Sequence, residues 1–140
     1  MAKLIARNVK LKVNGVDLSN MVQDIEFPWK WTNNIVTGMG SNFEERLLGI
    51  GDASLVVTFY ANYASGQTDA TLRPLAGSNT DFEVEVTPDS TLATGATNPR
   101  FVMRCVLDGY TPVKGKVGEA STMQVTFFNA TQAGVLVYTT

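Results

Sequence analysis

A period of two runs through most of this 140-residue chain, and a chain patterned that way folds into strands whose alternate side chains share a face. Val9, Leu11 and Val13 alternate with Lys10 and Lys12. Asn14-Gly15 follows, the pair best suited to the positive φ angles of a two-residue hairpin, and Val16-Asp17-Leu18 returns from it. Ile25, Phe27, Trp29 and Trp31 share one parity, and Pro28, which cannot donate to a ladder, predicts an edge strand or a bulge. Leu55 to Tyr60 is apolar on both parities, as a central strand is. Phe82, Val84 and Val86 alternate with Asp81, Glu83 and Glu85. Phe101, Met103, Cys105 and Leu107 form the next strand, with a turn expected at Asp108-Gly109 and a tight tip at Lys114-Gly115-Lys116. Met123, Val125 and Phe127 alternate after it, and Val135 to Tyr138 closes the series.

One stretch carries helical spacing instead. Leu72, Leu75 and Ala76 make an apolar stripe within 68–76, with Thr68 or a neighbour as cap, Asp69 near the positive dipole end and Gly77 at the exit. Pro74 limits it to two or three turns. The pattern predicts a mainly β protein: a single domain over 1–140, built as a two-sheet β-sandwich or barrel with one short flanking helix.

Composition narrows the chemistry. With no His, imidazole triads and His-ligated zinc have no basis, and a single Cys makes neither an internal disulfide nor a multi-cysteine metal site. Cys105 lies mid-strand among apolar residues, the setting of a buried small hydrophobe. Glu44 and Glu45 are adjacent, so on a strand they face opposite ways and have no evident acid–base partner. Gly38-Met39-Gly40 and Gly49-Ile50-Gly51 lack the helix and the Lys of a phosphate cradle. No catalytic, cofactor-binding or metal-ligating residues are expected, and hence no enzyme. No run approaches the roughly 18 apolar residues of a membrane span, and the stretch Met1–Arg7 is too short for a secretory signal.

Two features remain without a chemical use. Residues 32–51 have no clean period, yet Ile35, Val36, Met39, Phe43, Leu47, Leu48 and Ile50 are too apolar for a solvated loop. They either dock on another subunit, fold back over the core, or form one extended hairpin. Charge is also uneven. Residues 1–16 carry Lys3, Arg7, Lys10 and Lys12 and no acid, whereas the middle of the chain is acidic, including the stripe Asp81, Glu83 and Glu85. These are either ordinary solvated faces or matched surfaces on neighbouring copies. No concentrated basic patch for gripping nucleic acid is present.

The order of parts resembles the major tail tube proteins of long-tailed, siphovirus-like bacteriophages and of phage-derived gene transfer particles. The resemblance covers roughly residues 9–138. It rests on an N-terminal hairpin, a long loop ending in Asn42-Phe43-Glu44-Glu45-Arg46-Leu47-Leu48-Gly49-Ile50-Gly51-Asp52-Ala53-Ser54, and a strand leading to a helix at Thr68-Asp69-Ala70. An acidic alternating strand from Asp81 to Val86, Asp108-Gly109-Tyr110, Gly118-Glu119-Ala120-Ser121 and a Gly134 before the final strand complete it. The segment Phe27-Pro28-Trp29-Lys30-Trp31 is not part of that pattern.

The resemblance implies a structural virion protein whose copies form hexameric rings stacked into the tail tube, the conduit for DNA ejection. On that basis Ile35, Val36, Met39, Phe43, Glu44, Glu45, Arg46 and Leu47 become inter-ring contacts. Asp81, Glu83 and Glu85 become lumen-facing residues that keep DNA from adhering. Lys3, Arg7, Lys10 and Lys12 become ring contacts. The expected partners are the chain itself, a tape-measure protein and other tail proteins, with DNA in transit and no membrane. The expected location is the virion tail, assembled in the bacterial host cytoplasm. A capsid decoration or other virion surface protein, or a carbohydrate-binding β-sandwich using Trp29 and Trp31, are the competing readings.

Overall fold

A computed structural model describes residues 8–140, so Lys3 and Arg7 lie outside the described residues. The strands are β1 (Lys10–Val13), β2 (Val16–Asp17), β3 (Val22–Glu26), β4 (Trp29–Ile35), β5 (Arg46–Tyr60), β6 (Phe82–Thr87), β7 (Arg100–Lys114), β8 (Thr122–Asn129) and β9 (Val135–Tyr138). All strand pairings are antiparallel, in the order β2-β1-β6-β7-β8-β5-β3, with β4 joined to β5 and β9 to β7. The expected mainly β architecture with one short helix is what the chain adopts. The hydrogen-bonded path runs unbroken through β7, whose first part pairs with β6 and whose second pairs with β8. The layers are therefore halves of one curled sheet.

The core is the set of inward residues that the alternation singled out. Leu11, Val13, Leu55, Val57, Phe59, Val84, Cys105, Met123, Val125 and Phe127 are buried in one cluster. Phe82 and Phe127 meet edge to face at 5.8 Å between ring centres, an arrangement that aligns ring edge with ring face. Asn14 (φ 49°) and Gly15 (φ 83°) make the expected turn between β1 and β2.

Of the two expectations for Pro28, the edge holds: it falls between β3 and β4, which among the described residues pair only with β5, and its carbonyl accepts the Ser54 amide at 3.2 Å. Two local expectations are corrected. Asp108-Gly109 is no turn. β7 continues through it with a shift of register between Leu107 and Gly109. The helix α1 covers only Thr68–Leu72, because Pro74 lacks the amide needed for another α turn, and Arg73–Leu75 tightens into a 3-10 turn.

Thr68 does not cap that helix. Its hydroxyl donates to the Asn62 carbonyl at 3.1 Å and accepts the Asn62 amide at 3.2 Å, latching the preceding loop. Asp69 is buried and fastens the helix to the sheet. It accepts the Tyr110 hydroxyl of β7 at 2.5 Å and pairs with Arg73 one turn on. Burial and the bond to Asp69 push the Tyr110 phenol above its ordinary value of 10.0.

Tyr110→Phe is therefore expected to lower stability by about 1–3 kcal/mol, the range for removing a hydrogen bond to a buried charge. Chemical denaturation measures it. In the native protein, one of the four tyrosines should ionise only above the ordinary range during a spectrophotometric pH titration. Because the folded value is raised, stability from this group is complete below pH 10 and is lost as pH climbs beyond it.

Candidate assembly surfaces

Strand β5 is built of two unlike parts. Residues 54–60 pair with β8, and within that stretch 56–59 also pair with β3 on the other edge. Among the described residues, 46–53 pair only with β4. The segment 32–51 is thus largely a two-stranded ribbon that continues a core strand out of the body, with the turn at 36–45. This is the extended hairpin among the alternatives, and not a loop.

Its hydrogen bonds account for why it holds together. The Val36 amide donates to the Glu45 carbonyl at 2.8 Å, and the Glu45 amide donates to the Thr37 hydroxyl at 3.0 Å. Between the pairs Trp31–Gly51 and Asn33–Leu48, β5 advances one residue more than β4, a bulge that erases the period of two. Gly51 is required by packing. A Cβ there would lie 2.6 Å from the Trp31 indole nitrogen, so the ring covers the bare backbone. Trp29 forms edge-to-face contacts with Phe27 at 5.8 Å and Phe101 at 5.7 Å, which seats the ribbon's base on the body.

Beyond that base, no described residue covers the ribbon. Every residue of β4 and residues 46–52 of β5 are exposed. Phe43 is 85% exposed, Ile50 84% and Ile35 62%; Val36, Met39, Leu47 and Leu48 are exposed as well. Pairing places Trp31 and Leu48 on one face of the ribbon and Leu47 on the other, so both faces are apolar. Glu44 and Arg46 pair with each other at 2.6 Å in the open. The structure brings together all eight residues expected to make inter-ring contacts, on one projecting element.

The acidic stripe is not purely acidic. Arg104 donates from Nε to Asp81 at 2.5 Å and lies opposite Glu83 in register; Arg100 pairs with Glu85 at 2.9 Å, and Lys12 faces Glu85 from β1. The Arg104 bond holds the Asp81 carboxyl below its usual range. Lys10 and Lys12, expected as ring contacts, share this outward face. Each carboxylate of the stripe therefore has a cation of the same chain beside it. Arg100 also stacks on the Tyr138 ring, 4.6 Å from its centre, and so ties β9 to β7.

Little else could carry chemistry. Cys105 is fully buried, and burial pushes its thiol up to about 12, which leaves no thiolate for attack. Among the described residues, no group of three or more His, Cys, Asp or Glu is placed to hold a metal. No helix among them is long and apolar enough to cross a membrane.

No protein-family model matches the chain, and no curated protein does. Solved structures do. The chain is similar to one in the virion of a native gene transfer agent particle, with TM-score 0.69, 15% identity and 95% of each chain covered. It is also similar to one in the tail of an empty gene transfer agent particle of C6 symmetry, with TM-score 0.67 and 14% identity over 95% and 94% of the two chains. A third is in the sheath/tube terminator of an extracellular contractile injection system in its extended state, with TM-score 0.73 and 5% identity over 98% and 97%. The tail-tube-like fold implied by the order of parts is thereby shown.

Arg100→Ala removes both the Glu85 pair and the Tyr138 stack. It should cost about 1–2 kcal/mol and expose the amides of β9 first in hydrogen exchange.

Proposed function

We propose that this protein is a structural subunit of a phage-type tail tube, with copies joining in hexameric rings that stack into a conduit for DNA. The observation that carries this reading is the two-stranded ribbon. An isolated hairpin of two strands is at best marginally stable in water, and this one is apolar on both faces. It needs a partner on each face, and identical copies supply them. The C6 symmetry of the similar gene transfer agent tail supports rings of six.

The ribbon gives a heterologous contact, one surface meeting a different surface on the next copy, and such contacts propagate into rings and open tubes. Burying its six largest apolar side chains stabilises a contact by on the order of 10 kcal/mol, which is comparable with the cost of immobilising a subunit. One such contact alone is weak; a ring that offers six at once is not. Length must then be set by another protein, and a tape-measure partner fits that need. No catalysis is assigned to the chain.

The face with Asp81, Glu83 and Glu85 is the proposed lumen wall. Alternating carboxylates and cations there present passing phosphates with a nearly balanced surface, so DNA neither adheres nor is strongly excluded. The virion tail is the corresponding location, following assembly in the host cytoplasm.

Replacing residues 35–48 with a two-residue turn tests the assignment. The shortened protein should keep its cooperative melting and lose its tubes and rings under the electron microscope. Unchanged tubes would remove the ribbon from the assembly.

A further inference from the structure

If the ribbon of one copy enters the next ring, as the tail-tube reading requires, some surface must receive it. Strand direction narrows the choice. On β5, Ser54 pairs with Phe128 and Tyr60 with Thr122, so the ribbon leaves at the Ser54 end and the β7–β8 hairpin tip leaves at the Tyr60 end. Arg46 and Tyr60 are separated by roughly 45 Å of extended strand at about 3.3 Å per residue. The two projections point away from opposite ends of the subunit, which is the geometry of head-to-tail stacking.

The Tyr60 end holds a cleft of about 500 Å³ beneath the hairpin tip, lined by Gln23, Tyr60, Lys114, Lys116 and Glu119 among others. Tyr60 and Tyr63 are exposed apolar surface at this end, and Val113 and Val117 on the tip are more so. The Lys114 ammonium donates to the Gln124 amide oxygen at 3.3 Å, and neither Lys114 nor Lys116 has an ion-pair partner among the described residues. At the far end of the molecule, Phe43 projects beside Glu44 and Glu45. Arg46 occupies Glu44, while Glu45 has no ion-pair partner among the described residues.

We infer that the cleft beneath the β7–β8 tip is the receptor for the ribbon turn of a second copy, with Phe43 entering beside Tyr60 and Glu45 meeting Lys116. Each end then completes what the other lacks. An exposed aromatic gains an apolar wall, and two unpaired charges of opposite sign neutralise each other as water leaves.

Charge reversal decides it. Glu45→Lys and Lys116→Glu are both on exposed turns, and circular dichroism confirms that each variant folds. Each single variant should raise the protein concentration needed for tube formation by about tenfold or more, equivalent to one lost charge contact. The double variant should return it to within about twofold of the native protein. If native tubes form and the single variants match them, the cleft is not the receptor, although the tube reading stands. If only Lys116→Glu has an effect, and it abolishes retention on immobilised DNA, the cleft serves a polyanion and the inference is overturned. If the native protein forms no tube or ring at any concentration, both readings fail together.

Discussion

Strand β5 imposes the constraint from which the remainder of this structure follows. Its second half is hydrogen-bonded on both edges and contributes Leu55, Val57 and Phe59 to the core. Its first half leaves the body with β4 as its only strand neighbour among the described residues. Because it is one continuous strand, the ribbon's direction is set by the body, and Trp29 against Phe27 and Phe101 braces the point of exit. A stable core therefore holds out an element that cannot stabilise itself. That imbalance makes association the expected behaviour of the chain.

Interaction strengths separate what holds the body together from what it leaves exposed. Buried aromatic and aliphatic side chains and the Asp69–Tyr110 bond hold the body without help from other copies. The outward charges of β6 and β7 are mostly satisfied within the chain, since Asp81 and Glu85 each have an arginine. Exposed ion pairs of this kind add little stability. The ribbon and the opposite hairpin tip, by contrast, carry exposed apolar side chains and the charges of Glu45 and Lys116, which have no ion-pair partner among the described residues.

Much of the body was legible in the sequence because its strands bury one face. Alternation at 82–86, 101–107 and 123–127 follows from that, and each of these stretches is a strand with the expected side inward. The ribbon was legible only at its base, where Trp29 and Trp31 share a strand parity, and as one of three alternatives, an extended hairpin, beyond it. With both faces exposed it has no reason to alternate, its bulge shifts the period, and Gly49 and Gly51 remove side chains from the pattern. Its apolar content still set it apart from an ordinary solvated loop, and those side chains are exposed. Arg100 and Arg104 beside the acidic stripe, and Tyr110 on Asp69, depend on pairings between strands distant in sequence, which no local pattern encodes. The helix was found by its spacing, yet Pro74 shortened it and Thr68 was taken by the loop before it.

Hydrogen–deuterium exchange of the same preparation, once dilute and once assembled, bears most directly on whether one copy covers another's ribbon. In dilute protein the amides of β4 and of residues 46–52 should exchange far faster than those of 54–60. On assembly the ribbon should become protected while β8 and the second half of β5 stay as they were. A ribbon that exchanges equally fast in both states would contradict the idea that its exposed faces are what the assembly buries.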